Sequence, residues 1–406
     1  MRFSQTADQL IPELAGRQRT FLLAGAVGLA LSVVGYLSNA PQFFQSYLQA
    51  YMFALGLSLG SLALLMIHQL SGGAWGVVIR QPLGAATRVL PYLTILFLPI
   101  VFGMHDLYHW THEDVVAADV ILQGKAKYLN TSFFLIRAAI YFATWNLLAF
   151  LLNKWSAEQD QSGDPLTAIR MQRLSAGGLL LYAFSMSFAA FDWMMSLDPH
   201  WFSTIYGVLI MGGQGLAALA FMLTLMSYLS RRAPASIASV YSPQIFHDLA
   251  NLMLAFVILW AYFSFSQYLL IWSGNLPEEI TWYMSRLEGS WIAIGIVLMM
   301  FHFAVPFFLL LWRAIKRNPA NIVKVTIAIM VVRNIDLFWL IAPEFHEHGV
   351  VVSWMDVVFP LALFALWVGL FLMQLRARPL LPVNDPQFEE ALGPVLAGGE
   401  LPKGAH

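Results

Sequence analysis

Apolar residues in this chain neither alternate with polar ones nor keep to a single helical stripe; they run in long blocks separated by short polar connections. A helix needs about 20 mostly apolar residues to cross about 30 Å of hydrocarbon. Ten blocks meet that length: 20–38, 44–69, 88–104, 131–152, 174–195, 203–229, 244–272, 287–312, 323–342 and 354–375. Strand alternation is absent, which argues against a membrane β-barrel. The pattern predicts an all-α integral membrane protein with ten transmembrane helices.

The connections carry a second, independent signal, because Lys and Arg collect on the cytoplasmic side of a membrane protein. Counted from a cytoplasmic N-terminus, Arg17, Arg19, Arg80, Arg88, Lys154, Arg170, Arg173, Arg231, Arg232, Lys316, Arg317 and Arg376 all fall on one side. Lys125, Lys127 and Arg286 fall on the other, among Glu113, Asp114, Asp198, Glu278, Glu279 and Glu344. An error of one span would scramble this division, so both termini are expected in the cytoplasm. Residues 1–19 form a polar N-terminal segment with no cleavable signal, 20–375 the membrane domain, and 376–406 a proline-rich, extended cytoplasmic tail. The longest connection, 105–130, is too short for a core of its own and is expected as an interfacial cap.

Composition narrows the chemistry. Of 406 residues 59% are hydrophobic and 11% charged, against about 25% charged in soluble domains. There is no cysteine, so thiolate zinc sites, cysteine-ligated iron–sulfur clusters and c-type haem attachment are excluded from this chain. A net charge of −1 argues against nucleic acid as a partner.

Ionisable groups inside spans are costly and mark pairs, cavities or proton routes. On the non-cytoplasmic half these are Asp106 with His105, Arg137, Asp192, Glu288, and Arg333 with Asp336 three residues on. His68, His247 and Asp248 lie towards the cytoplasm, with His302 near mid-membrane. Together they would furnish two polar half-routes for protons meeting near the bilayer centre. The plainer alternative is structural pairing: Arg333 with Asp336, and Arg137 with either Asp192 or Asp106. Aromatic residues make up 14% of the chain; span-end Trp such as Trp201, Trp272 and Trp282 read as interfacial anchors, and aromatic walls would equally suit a quinone. His302 lacks an obvious partner at equal depth for haem. The glycines of 207–215, GVLIMGGQG, read as close helix packing, and Pro91, Pro99, Pro306 and Pro360 as local helix breaks.

Two stretches go further: 191–207, FDWMMSLDPHWFSTIYG, and 260–279, WAYFSFSQYLLIWSGNLPEE. They resemble the F subunit of bacterial alternative complex III, a quinol:cytochrome c oxidoreductase, the smaller of its two membrane subunits of the NrfD/polysulfide-reductase type. The resemblance implies two four-helix bundles, helices 2–5 and 6–9, flanked by helices 1 and 10, in the bacterial inner membrane. It implies partners as well: a larger NrfD-like subunit, an iron–sulfur subunit and cytochrome c subunits that carry the clusters and haems, with this chain as proton route and scaffold and quinone as its only candidate cofactor. Against it stand an autonomous secondary transporter, weakly supported because prolines fall irregularly in the two halves, and a purely structural membrane subunit.

Overall fold

A computed structural model of the chain describes residues 11–232, 240–346, 349–382 and Phe388. Among the described residues it is helical without strands, and ten helices are long and apolar enough to cross a membrane. They are α1 (Ile11–Ser38), α2 (Ala40–Ser71), α3 (Ala74–Phe102), α4 (Thr131–Ser162), α5 (Pro165–Trp193), α6 (Tyr206–Arg232), α7 (Pro243–Gly274), α8 (Trp291–Leu311), α9 (Pro319–Ile341) and α10 (Met355–Arg376). This is a multi-pass membrane protein.

Several helices start earlier or end later than hydropathy alone expects. The third begins at Ala74 rather than 88, the fifth at Pro165 rather than 174, and the fourth continues to Ser162 rather than 152. For α4 and α5 the reason is capping: Gly163, in the left-handed conformation, ends α4, and Asp164 starts α5. Asp164 accepts from the Leu166 amide just before Pro165, Ser242 from Ile245 before Pro243, and Asn318 from Ala320 before Pro319. An Asx or Ser cap followed by proline at the first helical position is a local start signal independent of apolarity, so polar turns extend the membrane helices beyond the hydrocarbon. Arg80, expected in a connection, consequently sits inside α3 at 2% exposure, where its Nη2 donates to Ser156 of α4 at 3.2 Å.

Proline breaks α3 twice, into Ala74–Thr87, Leu90–Ile95 and Leu98–Phe102. Carbonyls at these breaks are taken up by hydroxyls of α2: Tyr47 donates to Leu96 O at 2.7 Å, Tyr51 to Leu93 O at 3.0 Å and Ser58 to Ala86 O at 2.9 Å. On the α2 side these breaks are closed, because α2 supplies the missing donors. α8 carries a π-helical turn, Met299–Ala304, immediately before Pro306. In α10, by contrast, Pro360 lies within an unbroken helix, and the break expected there does not occur.

α2 and α6 are enclosed along most of their length, whereas α1, α7 and α8 turn apolar side chains such as Leu23, Val27, Phe265 and Phe308 outward. A water-facing surface does not carry such continuous apolar faces. α2 packs against α3, α5, α6 and α10, α6 against α7 and α9, α4 against α5, and α1 along α10. Gly207 brings α6 onto the backbone of α5 at Ser187, the close packing its glycine run leads one to expect. Residues 105–130 form short helices that close one end: Trp110 Nε1 donates to Ser196 at 3.3 Å and Lys125 Nζ to Pro199 O at 2.6 Å. That connection is the cap its length implies. Most of the expected tail, including 389–406, lies outside the described residues.

Candidate functional site

The structure sorts the ten singled-out residues into separate places rather than one string. Arg137 of α4 meets Asp192 of α5 in a two-pronged pair: Nε to Oδ2 and Nη2 to Oδ1, both 2.8 Å. Tyr141 donates to Oδ2 at 2.7 Å, and Arg137 Nη1 donates to Tyr128 O at 2.9 Å while its guanidinium lies 3.9 Å from the Tyr128 ring centre. Asp192 is fully buried and Arg137 nearly so. Of the two partners open to Arg137 in the sequence, the fold selects Asp192. Asp106 stands exposed on the short helix Met104–Leu107 after α3.

The second buried group gathers in α7, α8 and α9. Arg333 and Asp336, one turn apart on α9, form an ion pair at 2% and 3% exposure. Trp260 of α7 donates from Nε1 to Asp336 Oδ2 at 3.2 Å and meets the His302 ring edge-on, ring centres 4.1 Å apart. His302 lies in the π-helical turn of α8, wholly buried, and among the described residues neither of its ring nitrogens has a hydrogen-bond partner. Gly213 of α6 makes the room: a Cβ there would fall inside the Arg333 guanidinium. This glycine therefore serves a charged side chain, not helix contact alone.

The remaining candidates lie elsewhere. His68 is buried at the end of α2, edge-on to Trp75 with ring centres 5.5 Å apart. His247 is half-buried on α7, 3.5 Å from the neighbouring Asp248. Glu288, expected inside the membrane at the start of the eighth span, is exposed in the turn before α8; that span opens at Trp291 after a separate amphipathic helix, Pro277–Leu287.

That helix carries what the sequence reading missed. Arg286, assigned to a connection, is fully buried: Nη2 donates to Glu344 at 2.6 Å and Leu340 O at 3.1 Å, Nη1 to Trp282 O at 3.0 Å, and the guanidinium lies 3.5 Å from the Trp282 ring centre. Pro277 at its start, Glu278 and Glu279 in its first turn and Arg286 in its last are signals that mark this helix without any hydropathy. It also joins the two distinctive sequence stretches in space. Trp201 stacks on Trp282 with centres 4.6 Å apart and donates to Glu279 O at 3.1 Å, while Ser203 donates to Gln267 at 2.9 Å.

Outside the membrane, His200 Nε2 lies 2.5 Å from Asp119 Oδ2, and Asp119 also caps the Val120–Lys125 helix. The His200 hydrogen bond, helped by the Leu122 and Ile121 amides, holds the Asp119 carboxyl below its ordinary range. Among the described residues no group of three His, Asp or Glu is placed to hold a metal ion.

Ten apolar helices enclosing two buried Arg–Asp pairs and an unsatisfied histidine define a multi-pass membrane protein with ionisable groups in its interior. Compared with models of known protein families and with curated proteins, the chain finds no match in either.

Proposed function

We propose that this chain is an integral membrane subunit of a bacterial quinol:electron-acceptor oxidoreductase of the alternative complex III kind, serving as scaffold and as part of a proton route. The two sequence stretches that resemble that family support membership, and they pack on each other through Trp201 with Glu279 and Ser203 with Gln267. The two-bundle reading is supported by the packing of α2 with α3 and α5 and of α6 with α7 and α9, with α1 lying along α10. Both termini in the cytoplasm fits the basic residues gathered where α1 begins and α10 ends. Iron–sulfur clusters and haems belong, on this reading, to partner subunits.

The observation that carries the proton-handling part is His302. A fully buried imidazole with both nitrogens unspent is costly, and Trp260 links it to Asp336. Such a group, beside a carboxylate whose charge depends on Arg333, has a free position to take and release a proton. Arg137–Asp192 is instead a closed pair, its carboxylate accepting two hydrogen bonds from Arg137 and one from Tyr141, and we assign it to holding α4 against α5. Asp336→Asn and His302→Phe complexes in sealed vesicles should release fewer protons per quinol oxidised while assembling normally. Unchanged proton stoichiometry in both overturns the route.

A further inference from the structure

At the end of the bundle where the basic residues gather, a recess of about 600 Å³ opens between α3, α4 and the end of α10. That is within the range of small-molecule sites, about 300–1,000 Å³. Two guanidinium groups converge there on one asparagine: Arg88 Nη1 donates to Asn153 Oδ1 and Arg378 Nη1 to Asn153 O, each at 2.7 Å. Arg88 is further fixed by the side chain and carbonyl of Gln374, at 3.3 and 2.7 Å. Among the described residues no carboxylate lies within ion-pair distance of either guanidinium. Lys154 lines the same recess and its only acidic companion, Glu158, stands 3.9 Å away with both side chains largely in the open. The lining therefore carries two cations more than anions, and the Asp160 carboxylate, outside the lining, favours the Arg378 charge from one side.

A second basic recess, about 310 Å³ between α1, α6 and α9, is built differently. There Glu13 lies 3.7 Å from Arg17 and 3.8 Å from Arg232, so these two arginines have an acidic partner within the chain. In the first recess Arg88 and Arg378 form no such ion pair among the described residues. Its outer wall is apolar: Tyr92 and Phe150 line it and are 37% and 63% exposed on the lipid-facing side of α3 and α4.

We propose that this recess binds the phosphate headgroup of an anionic phospholipid from the leaflet at the basic end. Among the described residues Arg378 donates through Nη1 alone, so a phosphate oxygen is free to accept from its Nε and Nη2. The planar fork of Arg suits phosphate, and basic pockets between membrane helices on the cytoplasmic side take such headgroups. Tyr92 and Phe150 would then lie along the acyl chains. Asn153 is the positioning residue, holding the two like charges side by side.

The test uses the full chain, purified with the subunits that accompany it and placed in phosphatidylcholine nanodiscs doped with photoactivatable phosphatidylglycerol. Cross-links should map to the segments carrying Tyr92 and Phe150. Their yield should fall about fivefold for each cation removed in Arg88→Gln, Arg378→Gln and Lys154→Gln, and stay unchanged in Arg232→Gln. Lys154 is exposed, so its variant reads the site even where an arginine variant fails to fold. Labelling that maps elsewhere, or a yield unchanged in Lys154→Gln, overturns the proposal; labelling abolished by millimolar inorganic phosphate assigns the site to a free anion and overturns the lipid assignment.

Discussion

Arg137 and Asp192, 55 residues apart, meet through two parallel hydrogen bonds of 2.8 Å inside the bundle. Tyr141 supplies a third donor to the carboxylate. Breaking such a pair from one side leaves a buried charge uncompensated, at about 3–5 kcal/mol, while replacing both partners by apolar residues is far cheaper. Asp192→Leu and Arg137→Met should therefore each destabilise strongly, and the double variant should recover most of the loss. Thermal unfolding in detergent measures it; additive losses would show that the two residues act separately.

Gly213 gives a second, sharper test because its neighbour is a charge. Gly213→Ala places a methyl group where the Arg333 guanidinium lies, so the Arg333–Asp336 pair must shift or break. Gly177, helical like Gly213, has nothing within 4 Å of an added Cβ, and Ala there should stabilise by up to about 1 kcal/mol through helix propensity. Opposite signs are expected from the same substitution. Equal unfolding temperatures for the two variants would contradict the assigned role of Gly213.

Arg286 should resist even the conservative replacement. Lysine keeps the charge but places its donors on one nitrogen, which cannot reach Glu344 together with the carbonyls of Trp282 and Leu340. Arg286→Lys should cost about 1–3 kcal/mol from acceptors left unpaired and loosen the Pro277–Leu287 helix. Hydrogen exchange across that helix is the readout; protection equal to the native chain would refute the clamp.

Asp119 makes the cap between α3 and α4 sensitive to acid. Its carboxyl is held below the ordinary value of 3.8, chiefly by the His200 hydrogen bond. A carboxylate with a lowered folded pKa contributes stability that is fully present above its unfolded value and is lost as pH falls through the folded one. The cap should thus keep its protection at neutral pH and lose it below about pH 4. In Asp119→Asn, proteolysis of the 105–130 connection should be faster at neutral pH and change less on acidification. A variant with the native pH profile would place the sensitivity elsewhere.

The sequence by itself determined the number, order and approximate placement of the ten spans. Transfer of a long apolar segment into hydrocarbon is a property of that segment alone, so blocks such as 44–69 and 203–229 announce α2 and α6 without reference to any neighbour. It likewise singled out Arg137, Asp192, Arg333, Asp336 and His302 as charges or imidazoles held in apolar helices. Its boundaries fell short where polar caps at Asp164 and Asn318 extend helices past the apolar core, because hydropathy does not register a hydrogen-bonded turn. What only the tertiary structure decided is pairing and exposure. Asp192 rather than Asp106 takes Arg137; Glu288 stays in the open while Arg286, two residues earlier, is buried against Glu344, 58 positions away. The physical reason is that the free energy of a charge in a membrane protein depends on which donors and acceptors surround it. Those neighbours come from other helices, brought together only when the bundle closes.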